Sequence, residues 1–220
     1  MQRADFRISP FPKSERSVIR VKFPQKRLEA GELAIELTRK SIHLLIAFVP
    51  LLLSLSKPLT IVLLGGGIAA YYVFESLRMR GIQVPLVSEL TARAARIRDA
   101  GRFVAGPITL GLGALASVLV FKPVPASIAI YILAFGDGFS SLVGKIAGRV
   151  RLPFTKGKSL EGSVTCFIVS FLSAYLVSRQ ALPSLAIALG ATVTEALPTK
   201  DLDNIILPLA AGFIASLVLA

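Results

Sequence analysis

Between Ala134 and Thr165 the chain reads AFGDGFSSLVGKIAGRVRLPFTKGKSLEGSVT, which sets Asp137, the nearby lysines Lys156 and Lys158, and Glu161 among glycines. Strongly apolar stretches flank this segment on both sides. An acidic residue inside a membrane helix costs roughly 2.5–3.5 kcal/mol on insertion scales and is retained where it faces a polar cavity or an ion. Carboxylate oxygens suit a hard divalent cation and lysines suit phosphates, so their proximity points to magnesium-nucleotide chemistry. Ser159 is placed to cap the helix that follows, which would leave the backbone N–H groups of Leu160 to Gly162 directed at an anion. Glu161 reads equally as a charge that complements that helix's dipole or as part of a metal site.

Other polar residues join this set by depth rather than by proximity in sequence. Glu195 falls near the inner end of one apolar segment, and Asp203 and Asn204 open the next. His43 is the only histidine; Arg39, Lys40 and His43 stand at i, i+1 and i+4, so Arg39 and His43 share a helix face beside Glu36. Taken alone, Arg39 and Lys40 read best as anchors at the membrane boundary, and Asp201 as a solvated loop charge. The triplet Gly157-Lys158-Ser159 invites comparison with a Walker-type phosphate loop. That pattern requires glycine where this chain has Leu152 and a strand before it, so a Walker ATPase is a poor fit.

These residues must be positioned by helices that cross a membrane. The 220-residue chain is 54% hydrophobic, with a mean hydropathy of +0.70 and only 17% charged residues. About 20 apolar residues span the hydrocarbon, and seven segments qualify: 41–56, 58–77, 103–121, 123–147, 161–178, 181–198 and 203–220. The expected fold is therefore all-α, a multi-pass integral membrane bundle of about seven transmembrane helices. Residues 1–31 read as a basic cytoplasmic or interfacial tail and residues 32–220 as one transmembrane unit. Leu90, Ala94 and Ile97 at helical spacing, with Arg93, Arg96 and Arg98 between them, predict a basic interfacial helix over 86–100. The glycines of Gly65-Gly66-Gly67 and Gly111-Leu112-Gly113 suit close helix packing, and Gly144 and Gly148 have the spacing of either a helix contact or a binding loop. The lone Cys166 lies in an apolar run and rules out an internal disulfide.

The net charge of +12 would suggest nucleic acid if read alone. Its distribution argues for a membrane and against a nucleic-acid partner. With the N-terminus in the cytoplasm, every one of the 25 Lys and Arg residues except Lys57, Lys122 and Arg179 falls on the cytoplasmic side. The same orientation places Asp137, Glu195, Asp203 and His43 near the cytoplasmic face, and the C-terminus outside.

Three separated blocks resemble the dolichol kinase, phytol kinase and yeast-type diacylglycerol kinase family. Arg39-Lys40-Ser41-Ile42-His43 is similar to its R-K-x-x-H motif. Asp137-Gly138, Ser140, Gly144 and Gly148, followed by Lys158-Ser159-x-Glu161-Gly162, are similar to its proposed CTP-binding pattern. Glu195-Ala196-Leu197-Pro198 with Asp203-Asn204 is similar to its acidic C-terminal block. Ser140 stands where the family has alanine, and Gly157 where it has the first of two lysines, with Lys156 as the candidate substitute. The resemblance implies a membrane kinase domain over 32–220 that transfers a phosphoryl group, mostly from CTP with Mg²⁺, to a lipid alcohol such as phytol or a polyprenol. It implies metal coordination by Asp137 and Asp203, with Glu195 and Glu161 as further candidates. Phosphate binding falls to Lys158, Lys156 and Ser159 beside Gly138, Ser140, Gly144, Gly148, Gly162, Arg39 and Lys40, and His43 or Asp137 would act as general base. A cytidylyltransferase acting on a lipid phosphate would use the same geometry, and an ion-coupled transporter would use the same acids at mid-depth. Nothing in the sequence sets an oligomeric state.

Overall fold

The structure, a computed structural model, describes residues 30–82, 102–153, 155, 157–199 and 202–220. Most of the basic tail, the expected interfacial helix over 86–100, Lys156 and Asp201 lie outside the described residues. Among those described, the fold is all-helical. The first rod comprises α1 (Ala30–Leu45), one 3₁₀ turn (Ile46–Phe48) and α2 (Val49–Leu55). It is followed by α3 (Lys57–Met79) and α4 (Gly106–Val120). The central rod comprises α5 (Pro123–Tyr131), a π turn (Ile132–Gly136) and α6 (Asp137–Ile146). The last three are α7 (Leu160–Ser178), α8 (Ala181–Ala196) and α9 (Asp203–Val218).

Four of these rods are long and apolar enough to cross a membrane: Leu33–Leu55, Lys57–Met79, Pro123–Ile146 and Leu160–Ser178. The other three, α4, α8 and α9, are apolar but shorter, at 15, 16 and 16 residues. At 1.5 Å per residue they reach about 22–24 Å, against a hydrocarbon core of about 30 Å. Their boundaries follow local chemistry. Ser56 caps α3, its Oγ accepting from the Leu59 N–H at 3.3 Å, with Pro58 in the first turn where its missing N–H is harmless. Arg179, with φ 57°, terminates α7 in the left-handed region.

One boundary differs from expectation. The first helix begins at Ala30 rather than at residue 41, so Glu36, Arg39, Lys40 and His43 sit within it. The reason is tertiary: Glu36, Lys40 and His43 are buried against another helix instead of marking the water's edge.

The central rod organises the bundle. Ile128 and Ile132 pack with Ile187 and Ala191 of α8 and Leu207 and Ala211 of α9. Ala126 and Ile130 pack on the opposite side with Val49 and Leu53 of α2 and Ala114 and Val118 of α4. A particular close approach joins α4 to α9. Pro208 lies inside α9 and supplies no N–H to the carbonyl of Asn204 four residues earlier. That carbonyl presses on Gly113, where a Cβ would lie 2.0 Å from the Asn204 oxygen. Gly113 thus sets the position of the α9 N-terminus, which carries Asp203. Gly113→Ala is expected to destabilise the purified protein by about 1–3 kcal/mol, the usual cost of overpacking, measured as thermal unfolding in detergent. An unchanged midpoint would show that α4 and α9 are not held at this distance.

Candidate active site

The buried face of α1 is polar. Among its described residues, Glu36, Lys40 and His43 are its buried side chains, at i, i+4 and i+7. They dock on α6, which starts directly after the π turn, a wider turn of a kind often found at functional sites. Asp137, at that start, is 4% exposed and Lys40 is 3% exposed. Lys40 Nζ donates to Asp137 Oδ2 at 2.6 Å and to the Asp137 carbonyl at 3.2 Å. His43 Nδ1 lies 3.3 Å from the same carboxylate oxygen. Further along α6, Lys145 pairs with Glu36, which also holds Arg39 at 3.3 Å. The boundary-anchor reading of Lys40 is therefore corrected: its ammonium is buried on Asp137.

The loop from α6 to α7 is a short hairpin. Arg151 and Ser159 form an isolated antiparallel bridge, the Leu152 N–H donates to the Lys158 carbonyl at 3.0 Å, and Gly157 turns the chain at φ 107°. Ser159 is the expected cap of α7, its Oγ accepting from the Gly162 N–H at 3.1 Å. Two of the three amides expected to face an anion are engaged elsewhere, the Leu160 N–H on the Val150 carbonyl at 2.9 Å and the Gly162 N–H on Ser159 Oγ at 3.1 Å. Glu161 stands in the first turn of α7, as the helix-dipole reading expects, and away from the cavity that a metal role would need. Its carboxylate accepts from the N–H groups of Arg149 at 2.9 Å and Val150 at 3.2 Å, so it staples the hairpin and is not among the residues that line the cavity.

The hairpin delivers Lys158 to Glu195 at the end of α8, and the two form an ion pair. Burial works against the charge on Lys158, and the Glu195 carboxylate outweighs it, raising the lysine's pKa above its ordinary value. Ser140 Oγ lies 3.4 Å from the same Glu195 oxygen. At the start of α9 the Asn204 N–H donates to Asp203 Oδ1 at 3.0 Å, and the Asn204 amide reaches Thr109 of α4 at 2.9 Å.

These elements enclose one cavity of about 340 Å³. Of the residues singled out in the sequence, Arg39, Lys40, His43, Asp137, Ser140, Gly144, Lys158, Ser159, Gly162, Glu195 and Asp203 line it. Gly138 and Gly148 do not, and Lys156 lies outside the described residues. Gly148 is a packing glycine: a Cβ there would meet the Gly144 carbonyl at 2.2 Å and Ser159 Oγ at 2.7 Å. Gly144 and Gly162 likewise bring α6 and α7 together, with Gly144 Cα 3.3 Å from a Cβ built at Gly162.

Sequence reasoning missed Lys145, Arg151 and Ser163 as cavity residues and Glu36 as a member of the ion network. The available signal for Glu36 was the i, i+4, i+7 polar stripe on α1.

The cavity is chemically matched. Asp137, Glu195 and Glu36 each hold a lysine, while His43 Nδ1, Ser163 Oγ, Glu195 Oε2 and Thr199 Oγ1 are buried without a hydrogen-bond partner. Orphaned polar atoms of this kind cost about 1–3 kcal/mol each and concentrate where a ligand is bound. Among the described residues no three acidic, imidazole or thiol groups form a ready-made metal cage. Magnesium needs none, because it is held through one or two carboxylates together with substrate phosphates and water. Asp137 and Asp203 both line the cavity and could supply such carboxylates.

Comparison with known proteins gives relatives of one kind. The chain is 36% identical over 138 residues to a probable phytol kinase 2 of Glycine max, a stretch that covers 54% of this chain and 47% of the relative. It is 32% identical over 124 residues to a phytol kinase of Synechocystis, covering 52% and 49% respectively. It is 28% identical over 200 residues to phytol kinase 1 of Arabidopsis thaliana, covering 79% and 64%. The chain thus matches about half the length of the first of these curated relatives. No family model and no solved structure matches it. The relatives found are named phytol kinases, one of the three kinds of kinase that the motif blocks resemble.

Proposed function

We propose that this protein is a membrane-embedded kinase that transfers the γ-phosphoryl group of a nucleotide, CTP by family likeness, to the hydroxyl of an isoprenoid lipid alcohol of the phytol type. The observation that carries the reading is the cavity itself. Carboxylates suited to a metal and lysines suited to phosphates, drawn from α1, α6, the hairpin, α8 and α9, converge there, in a chain whose relatives are named phytol kinases.

In this reading the alcohol oxygen attacks the γ-phosphorus as the bond from that phosphorus to the β-bridging oxygen breaks, giving a lipid phosphomonoester and CDP. Catalysis of this kind rests on positioning and charge stabilisation. Lys158 and Lys40, paired with carboxylates in the ligand-free protein, would hold the phosphates, and Asp137 and Asp203 would hold a magnesium ion that neutralises their charge. His43, whose Nδ1 lies 3.3 Å from the Asp137 carboxylate, would take the hydroxyl proton.

Incubating purified protein with labelled CTP or ATP and a panel of lipid alcohols tests reaction class, donor and acceptor together. Labelled phosphomonoester with release of CDP is expected, and CTP is expected to outperform ATP. Pyrophosphate with a CDP-lipid would instead identify a cytidylyltransferase, and nucleotide-independent flux in proteoliposomes a transporter.

The orientation belongs to the same proposal: N-terminus and cavity cytoplasmic, C-terminus outside. Native Cys166 is fully buried, so single cysteines introduced near Lys57, Arg179 and Arg151 report topology against a low background. Outside reagent should label the first two sites and spare the third; efficient outside labelling near Arg151 would overturn the orientation.

A further inference from the structure

The carboxylates of the cavity are held in two different ways. Asp137, Glu195 and Glu36 each pair with a lysine, whereas Asp203 has no ion pair among the described residues. Its carboxylate makes one hydrogen bond there, Oδ1 accepting the backbone N–H of Asn204 at 3.0 Å. The aim of that carboxylate is therefore set by where Asn204 sits. Asn204 is 5% exposed and meets α4 twice. Its Nδ2 donates to Thr109 Oγ1 at 2.9 Å, and its carbonyl lies against Gly113, one turn further along the same helix. The Thr109 hydroxyl in turn donates to the Gly106 carbonyl at 3.0 Å, which commits its proton and leaves its lone pairs for the Asn204 amide. The chain leading into α4 is itself fastened to α3. The N–H of Val104 donates to the fully buried Glu75 at 2.8 Å, and its carbonyl accepts from the Tyr71 hydroxyl at 3.0 Å. Arg78 neutralises Glu75 through two bonds, at 2.6 and 2.8 Å. An acid buried in an apolar helix is costly; this one fixes the platform on which Thr109 stands.

We infer that Thr109 is a positioning residue for Asp203, acting through Asn204. The inference rests on the proposed kinase reading, in which Asp203 would hold the magnesium ion. Thr109 lies outside the three motif blocks and is not among the residues that line the cavity, so its hydroxyl reaches the metal site only by way of Asn204 and the Asp203 carboxylate. With no cation bonded to that carboxylate, the Asn204 N–H alone restrains it, and a shift of Asn204 carries it along. Groups that hold a ligating carboxylate from behind change metal affinity or activity by about 10–100-fold when they are removed. The acceptor has no part in this chain of bonds.

The test measures Mn²⁺ binding, as a stand-in for Mg²⁺, by equilibrium dialysis of the full chain in detergent with CTP and no acceptor, alongside turnover. Thr109→Val keeps the shape of the side chain and removes the acceptor for Asn204. It is expected to weaken Mn²⁺ binding by about tenfold or more and to lower kcat, with the acceptor KM unchanged. Thr109→Ser keeps the hydroxyl and should restore both. Should Thr109→Val fail to fold, Thr109→Ala gives the same comparison without the unsatisfied methyl contact. Ser117→Ala is the control for packing. Ser117 is fully buried on the same helix and its hydroxyl bonds only one turn back, to the Gly113 carbonyl at 2.8 Å, so its loss should leave Mn²⁺ binding as it is. Wild-type Mn²⁺ affinity in Thr109→Val, or equal weakening by Ser117→Ala, would overturn the positioning role while leaving the kinase reading intact. Wild-type protein that binds no Mn²⁺ with CTP would remove the metal from the kinase reading and the inference with it.

Discussion

Asp137→Asn is expected to abolish phosphorylation, by about 10³-fold or more, and also to weaken the ligand-free protein. The first effect follows because an amide keeps the shape of the carboxylate but loses the charge a hard cation requires. The second follows from the buried pair. Lys40 is 3% exposed and bonded to Asp137 at 2.6 Å, so the substitution strands an ammonium inside the bundle. Removing one partner of such a pair costs about 3–5 kcal/mol, whereas replacing both partners with neutral groups is often close to neutral. Adding Lys40→Met to Asp137→Asn should therefore restore most of the thermal stability in detergent while turnover stays absent. The restored stability would show that the single variant's instability comes from the stranded Lys40; because Lys40 is itself assigned to the phosphates, turnover of the folded single variant is the test of Asp137. Near-wild-type turnover by Asp137→Asn would remove it from the reaction, and recovery of turnover by the double variant would reduce it to a partner of Lys40.

Lys158→Ala is expected to lower kcat/KM for the nucleotide by about 10²–10³-fold while leaving the acceptor KM nearly unchanged. Lys158 is held at the cavity by its pair with Glu195 and by the hairpin that Glu161 and Gly157 shape. Charge stabilisation present only in the transition state is lost from kcat, and contact with the bound nucleotide is lost from KM. The variant also leaves Glu195 without its lysine, so Lys158→Met with Glu195→Gln provides the structural control. It should recover stability but not donor kinetics. Equal effects on both substrates, with normal nucleotide binding by calorimetry, would assign Lys158 to holding the hairpin in place.

The apolar runs determined which segments form helices and where most of them end, because burying those side chains in lipid or in a bundle requires the backbone to satisfy its own hydrogen bonds. Ser159 as the cap of α7 was legible for the same local reason. Helices that alternate in direction also set the depth of Asp137, Glu195 and Asp203, so their gathering at one end was within reach of the sequence. Depth along a helix is a one-dimensional quantity, fixed by counting residues.

Azimuth is not, and there the tertiary structure decided. Which face of α1 meets α6 determined that Lys40 serves Asp137 instead of the membrane boundary, and that Glu36 meets Lys145 across 109 positions of chain. The hairpin's fold turned the Glu161 carboxylate to the hairpin backbone and used the Leu160 amide that capping alone would have left for an anion. Local spacing carries no information on these pairings, because an ion pair inside a bundle depends on how two helices rotate against each other. That rotation is set by the shape of the whole core, down to the missing side chain at Gly113 and the carbonyl left without a helical partner by Pro208.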